Sequence, residues 1–198
     1  FTQLIKVKNS VSGKNKNYPL GGFLFCLYIP DIMNYMKKNT IKSSKKLIAA
    51  NWKMNPTDGK TALSWFKKIQ TTAHKHGKTV ETVVCPPSVY LQSLQAAVTD
   101  RSCVLGAQDC FWEASGSFTG EISPEMIFNA RARFSILGHS EKRALGETNE
   151  VVNKKLQKIL QYPLSVIVCV GEKIRFENGA HLKEIKKQIE EYLKNIPI

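Results

Sequence analysis

Acidic residues are scarce in this chain: 16 Asp and Glu stand against 29 Lys and Arg in 198 residues, a formal net charge of +13 at pH 7. Long apolar runs are missing, and none reaches the roughly 18–20 residues that a bilayer-spanning helix needs. Cysteine is sparse and odd in number. Cys26, Cys85, Cys103, Cys110 and Cys169 include no C-x-x-C spacing, so neither a disulfide framework nor a zinc site is indicated, and a reducing compartment is expected. No G-x-G-x-x-G follows the first apolar run of the regular part, which argues against a dinucleotide fold. His74 and His76 close a polar stretch before Gly77, without the thiol or carboxylate spacing of a metal site. The remainder, 42% apolar and 23% charged, is an ordinary globular composition with enough apolar residues for one core.

The positive charge is unevenly spread. Residues 1–46 hold nine Lys and one Asp, a local charge of +8, so the other 152 residues carry only +5. Lys6, Lys8, Lys14 and Lys16 precede an apolar stretch at 18–30, superficially a basic and then an apolar region of an export signal. Gly21, Gly22 and Pro30 interrupt it, and no small-x-small cleavage site follows. Residues 1–45 are therefore expected to be a basic leader, disordered or foreign to the domain that follows. Met33 and Met36 are possible natural starts within it.

From residue 46 the pattern is regular. Apolar or β-branched runs at 46–52, 80–85, 102–108, 134–138 and 165–170 predict five strands. Between them, Ala62, Phe66, Ile69 and Ala73 share a helical stripe, as do Leu91, Leu94 and Val98, and Val152, Leu156 and Ile159. Ser123-Pro124-Glu125 is a helix start with proline in the first turn. A last helix is expected with Leu182, Ile185, Ile189 and Leu193 on one face. Strands alternating with helices predict an α/β fold with a parallel sheet covered on both faces, as a barrel or a doubly wound sheet. Asn51, Lys53, Gln108, His139 and Glu172 all fall at or just beyond strand C-termini, the rim where a (β/α) barrel gathers its chemistry.

Five segments then carry a resemblance: Ala-Ala-Asn-Trp-Lys-Met-Asn at 49–55, Gly-Ala-Gln-Asp at 106–109, Gly-Ser-Phe-Thr-Gly-Glu-Ile-Ser at 116–123, Ile-Leu-Gly-His-Ser-Glu at 136–141 and Cys-Val-Gly-Glu at 169–172. In order and spacing, residues 46–198 resemble the triosephosphate isomerase family. The resemblance implies a partial (β/α)8 barrel with about five of the eight strand–helix units. It implies interconversion of dihydroxyacetone phosphate and D-glyceraldehyde 3-phosphate through an enediolate, with no metal or organic cofactor. A glycolytic and gluconeogenic enzyme of the cytoplasm is the corresponding setting.

The same resemblance assigns roles. Lys53 would supply positive charge to the substrate dianion and the developing enediolate, with Asn51 beside it orienting the lysine or a substrate oxygen. His139 would polarise the substrate carbonyl as a neutral imidazole; the family is itself the standard illustration of a helix N-terminus holding a histidine uncharged. Glu141 would be a supporting acid that pairs with Lys53. Taken without the family, Asn-Trp-Lys is a polar strand end with a packed tryptophan, His139 a structural histidine, and Glu141 a first-turn carboxylate favoured by the helix dipole. Cys169 is expected to be packed rather than reactive. The segment 109–122 is long for a connector. By resemblance it reaches a second copy of the chain, with Thr119 and Gly120 at the dimer interface and Thr119 facing the neighbour's pocket.

Several family features find no counterpart. The Tyr-Glu-Pro-Val-Trp segment with the catalytic glutamate base, the glycine-rich phosphate lid and the late paired glycines have no match here, so the base role falls on no residue of this chain. Asp109 stands where Asn is commoner, and Lys173 where Thr is. The expectations are an inactive chain as it stands, and five strands with two open edges and marginal stability. A nucleic-acid partner is not expected, because the leader lysines lack interleaved arginines and a binding motif. Neither is a membrane partner, and a different sugar-phosphate barrel enzyme is the nearest enzymatic alternative.

Overall fold

A computed structural model of the chain describes residues 3–6, 24–28, 45–172 and 180–196. Five parallel strands form its centre: β3 (Lys46–Asn51), β4 (Val80–Cys85), β5 (Cys103–Ala107), β6 (Phe134–Leu137) and β7 (Ser165–Gly171). They pair strictly in sequence order, Lys46 beside Val80, Val83 beside Val104, Gly106 beside Phe134 and Phe134 beside Ser165. With helices between successive strands, the sheet curls into a half-barrel. The α/β expectation and the choice of barrel over a doubly wound sheet both hold.

The alternation of side chains explains how each strand can be apolar throughout. Leu47, Ala49, Val83, Cys85, Val104, Phe134, Ile136, Ile167 and Cys169 form one buried cluster on the inner face. Their neighbours Ala50, Val84, Leu105, Leu137, Val166, Val168 and Val170 belong to the cluster that also holds the helix residues. Successive residues of a strand point to opposite faces, so two covered faces require apolar residues at every position. Gly106 marks the crowding inside: a Cβ there would meet Cys85 Sγ at 2.8 Å and Val83 Cγ1 at 2.9 Å.

Local capping fixes the helices. In α1 (Gly59–His76) the Asp58 carboxylate accepts from the Thr61 N–H at 2.9 Å, satisfying one of the free donors of the first turn. Phe66, fully buried, anchors the face that also buries Ala62, Gln70 and Ala73. The chain then passes through a short 3-10 turn and α2 (Leu91–Gln95). α3 (Pro124–Asn129) starts with Ser123 Oγ accepting from Met126 N–H at 3.2 Å. α4 (Ser140–Ala144) follows β6, and α5 (Asn149–Ile159) is capped by Thr148.

Along the last helix, α6 (Ala180–Tyr192), the expected Ile185, Ile189 and Leu193 pack partly buried against the core, and Leu182 alone departs from that face. Leu182 is largely exposed, and Gln188 and Tyr192 are the buried positions. Polar bonds to β7 add to this packing. Gln188 accepts from the Gly171 N–H at 3.1 Å and donates to the Gly171 carbonyl at 2.8 Å, and Tyr192 OH donates to the Cys169 carbonyl at 3.4 Å.

The five strands do not end on open edges, which revises that expectation. Residues from the leader contribute β1 (Gln3–Lys6), antiparallel to β3, and β2 (Leu24–Tyr28), antiparallel to β7. The sheet order is β1-β3-β4-β5-β6-β7-β2. Among the described residues no helix is long and apolar enough to cross a membrane.

Candidate active site

The C-terminal ends of β3, β5 and β6 converge on one cavity of about 370 Å³. Asn51, Lys53, Gln108, His139, Glu141 and Gly120 are on its walls. Thr119, next to Gly120, is exposed on the loop and not part of that lining. Glu172 is buried just after β7 and lies outside the lining as well.

Lys53 is placed by backbone rather than by packing. Its φ of 55° lies in the left-handed region, a costly conformation for a residue with a Cβ. The conformation is stabilised from both sides. The Lys53 N–H donates to Asn51 Oδ1 at 2.8 Å, and the Lys53 carbonyl accepts from Gln108 Nε2 at 2.8 Å. Gln108 Nε2 also donates to the Cys85 carbonyl at 2.9 Å, which ties the ends of three strands together. The ammonium then reaches Glu141 Oε1 at 2.7 Å.

His139 sits at the turn from β6 into α4. Gly138 before it has φ +70°, so the chain reverses tightly and presents the ring at the start of the helix. The ring is 4% exposed, and its Nδ1 accepts from the Glu141 backbone N–H at 3.3 Å. An acceptor Nδ1 carries no hydrogen, which places the ring proton on Nε2. Burial lowers the imidazole pKa below its ordinary 6.5; the Glu141 carboxylate opposes this and the Lys53 ammonium adds to it. The result is a neutral histidine between a cation and the positive end of a helix.

Behind the cavity lies a charged group that sequence reasoning missed. Lys155, 3% exposed, places Nζ 2.7 and 2.8 Å from the two Asp109 oxygens and also bonds Glu147. Lys142 adds a second ammonium 3.0 Å from Asp109. Burial alone would depress the Lys155 pKa, but the facing Asp109 and Glu147 carboxylates outweigh it and hold the ammonium above its ordinary value. The available signal was a lysine on the α5 stripe that buries Val152, Leu156 and Ile159. Asp109 thereby ties the start of the 109–122 loop to α4 and α5. The loop itself is built on Phe111, whose ring lies tilted against Trp112 at 4.0 Å and Phe118 at 4.8 Å between centroids.

His74 is a largely exposed histidine, and its Nδ1 lies 2.7 Å from Asp100 Oδ2. Hydrogen bonds from the Ser102 side chain and backbone, with His74 adding to them, hold the Asp100 carboxyl down at about 2. Among the cysteines, burial pushes Cys103 and Cys110 up to about 12, the behaviour of packed rather than reactive thiols.

Comparison with known proteins points one way. The family model described as triosephosphate isomerase matches residues 46–198. Over 155 residues the chain is 41% identical to the triosephosphate isomerase of Alkaliphilus oremlandii, covering 77% of this chain and 61% of that protein. That of Dictyoglomus thermophilum is 41% identical over 154 residues, and that of Chloroherpeton thalassium 37% over 154, with the same coverage. The chain thus spans about three fifths of the length of these relatives. A strand order running β3 to β7 without a break, a lysine and a histidine meeting at its C-terminal rim, and this degree of identity together place the chain in the triosephosphate isomerase family.

Proposed function

We propose that residues 46–198 form the substrate-charging half of a triosephosphate isomerase site, acting on dihydroxyacetone phosphate and D-glyceraldehyde 3-phosphate in the cytoplasm. The observation that carries this reading is the meeting of Lys53, His139 and Glu141 in one cavity. A triose phosphate brings a dianion and a carbonyl whose oxygen becomes negative as the enediolate forms. Lys53 offers a fixed positive charge for that oxygen, already oriented by Glu141. His139, neutral and protonated on Nε2, is a hydrogen-bond donor that can polarise the carbonyl without first losing a proton. Asn51 holds the Lys53 backbone in its unusual conformation.

Abstraction of the α-proton needs a positioned base, and general-base catalysis contributes about 10²- to 10⁴-fold. Of the carboxylates on the cavity wall, Asp109 is engaged by Lys142 and Lys155, Glu141 by Lys53, and Glu121 stands exposed on the loop. The 198-residue chain alone is therefore proposed to bind the triose phosphate without turning it over. A homodimer is proposed as well. Met54 and Leu145 on the cavity wall are 90% and 85% exposed, and a second copy of the 109–122 loop, with Thr119 at its tip, would cover them.

Calorimetric titration with dihydroxyacetone phosphate, paired with NMR detection of solvent deuterium at its carbons, tests the reading. The expected result is binding weakened about 10- to 100-fold in Lys53→Met, as for loss of a charged hydrogen bond, and no deuterium incorporation. Affinity indifferent to Lys53 would overturn the site, and rapid deuterium incorporation would overturn the missing base.

A further inference from the structure

The parallel sheet has two ends, and the cavity occupies the C-terminal one. At the other end the chain enters four adjacent strands through basic residues each time. Lys45 and Lys46 open β3, Lys78 stands two residues before β4, Arg101 two before β5, and Arg131 and Arg133 three and one before β6. All six are exposed. Backbone bonds fix where they stand. The Lys46 N–H donates to the Thr79 carbonyl at 2.8 Å. Arg133 is tied on both sides, its N–H donating to the Leu105 carbonyl and its carbonyl accepting from the Ser165 N–H, each at 2.8 Å. Among the described residues none of the six makes an ion pair, whereas Lys154, Lys186 and Lys187 on α5 and α6 each face a glutamate one turn away. The carboxylates nearest along the chain are Glu81, second in β4, and Asp100, which Ser102 and His74 engage.

Arg131 supplies an independent observation. Its φ is 58°, a left-handed conformation that glycine adopts freely and a residue with a Cβ only at a cost. Its N–H donates to the Phe128 carbonyl at 2.8 Å and closes the turn after α3, a task that needs no side chain. A charged residue held where glycine would be unstrained points to a use for the charge.

We propose that this N-terminal rim binds the phosphate backbone of a nucleic-acid duplex, without reading its sequence. Charge density decides the class of partner. Three strand spacings of about 4.8 Å spread the six cations over about 14 Å of sheet, one per roughly 2.4 Å. A duplex carries one phosphate charge per about 1.7 Å of its axis, enough for every cation to find an anion. An extended acidic polypeptide presents a carboxylate on one face only every 6.6 Å or so, too few for the rim. The leader lysines were set aside for want of arginines. Here three of the six cations are arginines, and all but Lys45 come from the body of the fold. The cavity lies about 15–20 Å away along the strands, so a duplex and a triose phosphate do not compete for space.

The test titrates the whole chain into short, fluorescently labelled DNA and RNA duplexes of mixed sequence, read by anisotropy at several salt concentrations. Log affinity should fall against log salt with a slope of about −4 to −5, as for four to six phosphate contacts. Arg131→Gly combined with Arg133→Gln should flatten that slope by about two and weaken binding several-fold. The urea midpoint should hold or rise in the same variant, since glycine suits the backbone at 131. Lys67→Gln with Lys68→Gln removes an equal charge from the exposed face of α1 and should leave the slope unchanged. Binding of either duplex supports the rim, and the tighter of the two names the source. Equal flattening by the two pairs would assign the binding to net charge, and loss only on replacing Lys6, Lys8, Lys14 and Lys16 would assign it to the leader. Tighter binding of a single strand or of polyglutamate, displacement by dihydroxyacetone phosphate, or no binding at low salt would likewise overturn the proposal. The isomerase reading rests on Lys53 and His139 at the opposite end, so the two fail independently.

Discussion

The Lys53 ammonium lies 2.7 Å from Oε1 of Glu141, a carboxylate whose backbone N–H donates to the His139 ring. One residue therefore couples the cation of the first barrel strand to the imidazole of the fourth. Glu141 is more than half exposed and Lys53 one third exposed, so the pair contributes under about 1 kcal/mol to stability. Its effect is on the charge presented to ligand. Glu141→Gln should leave the urea midpoint nearly unchanged and tighten binding of inorganic phosphate several-fold, because the ammonium loses its competing anion. Calorimetric titration with phosphate reads this directly, and weaker binding would count against it.

The neutral His139 has a consequence for acid stability. Its folded pKa is lowered below 6.5, by burial first. Below the unfolded pKa the unfolded chain takes up a proton that the folded chain refuses, so stability falls with pH there. The contribution is complete above about pH 6.5 and is lost as pH drops through the folded pKa. Urea unfolding at a series of pH values between 7.5 and 5 should show this decline in the native chain. The slope should flatten in His139→Gln, and an identical slope would assign the decline to other groups.

The buried ammonium of Lys155 provides a comparison of two substitutions. Lys155→Met leaves Asp109 and Glu147 without their buried cation, a loss of about 3–5 kcal/mol on the scale of broken buried pairs. Asp109→Asn keeps an acceptor for Lys155 while Glu147 still balances it, and should cost no more than about 1.5 kcal/mol. Denaturant unfolding of the two variants checks the ranking, and a reversed order would mean that Asp109, not Lys155, is the indispensable member.

Gly138 can be tested as the hinge that presents His139. With φ +70°, and a prospective Cβ 3.1 Å from both the Cys169 carbonyl oxygen and Tyr192 OH, Gly138→Ala introduces backbone strain of about 1–2 kcal/mol as well as crowding. A loss of about 2 kcal/mol is expected, accompanied by a shift of the His139 imidazole NMR signals. A variant as stable as the native chain would show that the turn tolerates a side chain.

The five parallel strands and most of the helices were legible because their apolar spacing follows directly from which faces are covered. Ser123 is readable as a helix start for the same local reason: its Oγ accepts from the N–H three residues on. Asn51, Lys53, Gln108 and His139 could be placed at strand ends from order alone. On the last helix the apolar spacing holds at Ile185, Ile189 and Leu193 but not at Leu182, and the bonds of Gln188 and Tyr192 to β7 are not visible in hydropathy. Lys155 was passed over because a charge on a buried stripe looks like a flaw until Asp109 and Glu147 are seen against it.

Local order along the chain was sufficient to determine the alternation of strands and helices, the family, and the residues available for chemistry at the rim. These follow from periodicity and short motifs, which need no knowledge of distant neighbours. Tertiary structure alone decided that Lys53 and Glu141 touch, that His139 is held neutral, and that leader residues lie along both edges of the sheet. Each of those depends on a free energy of desolvation or strand pairing between segments far apart in sequence, and no local pattern carries that information.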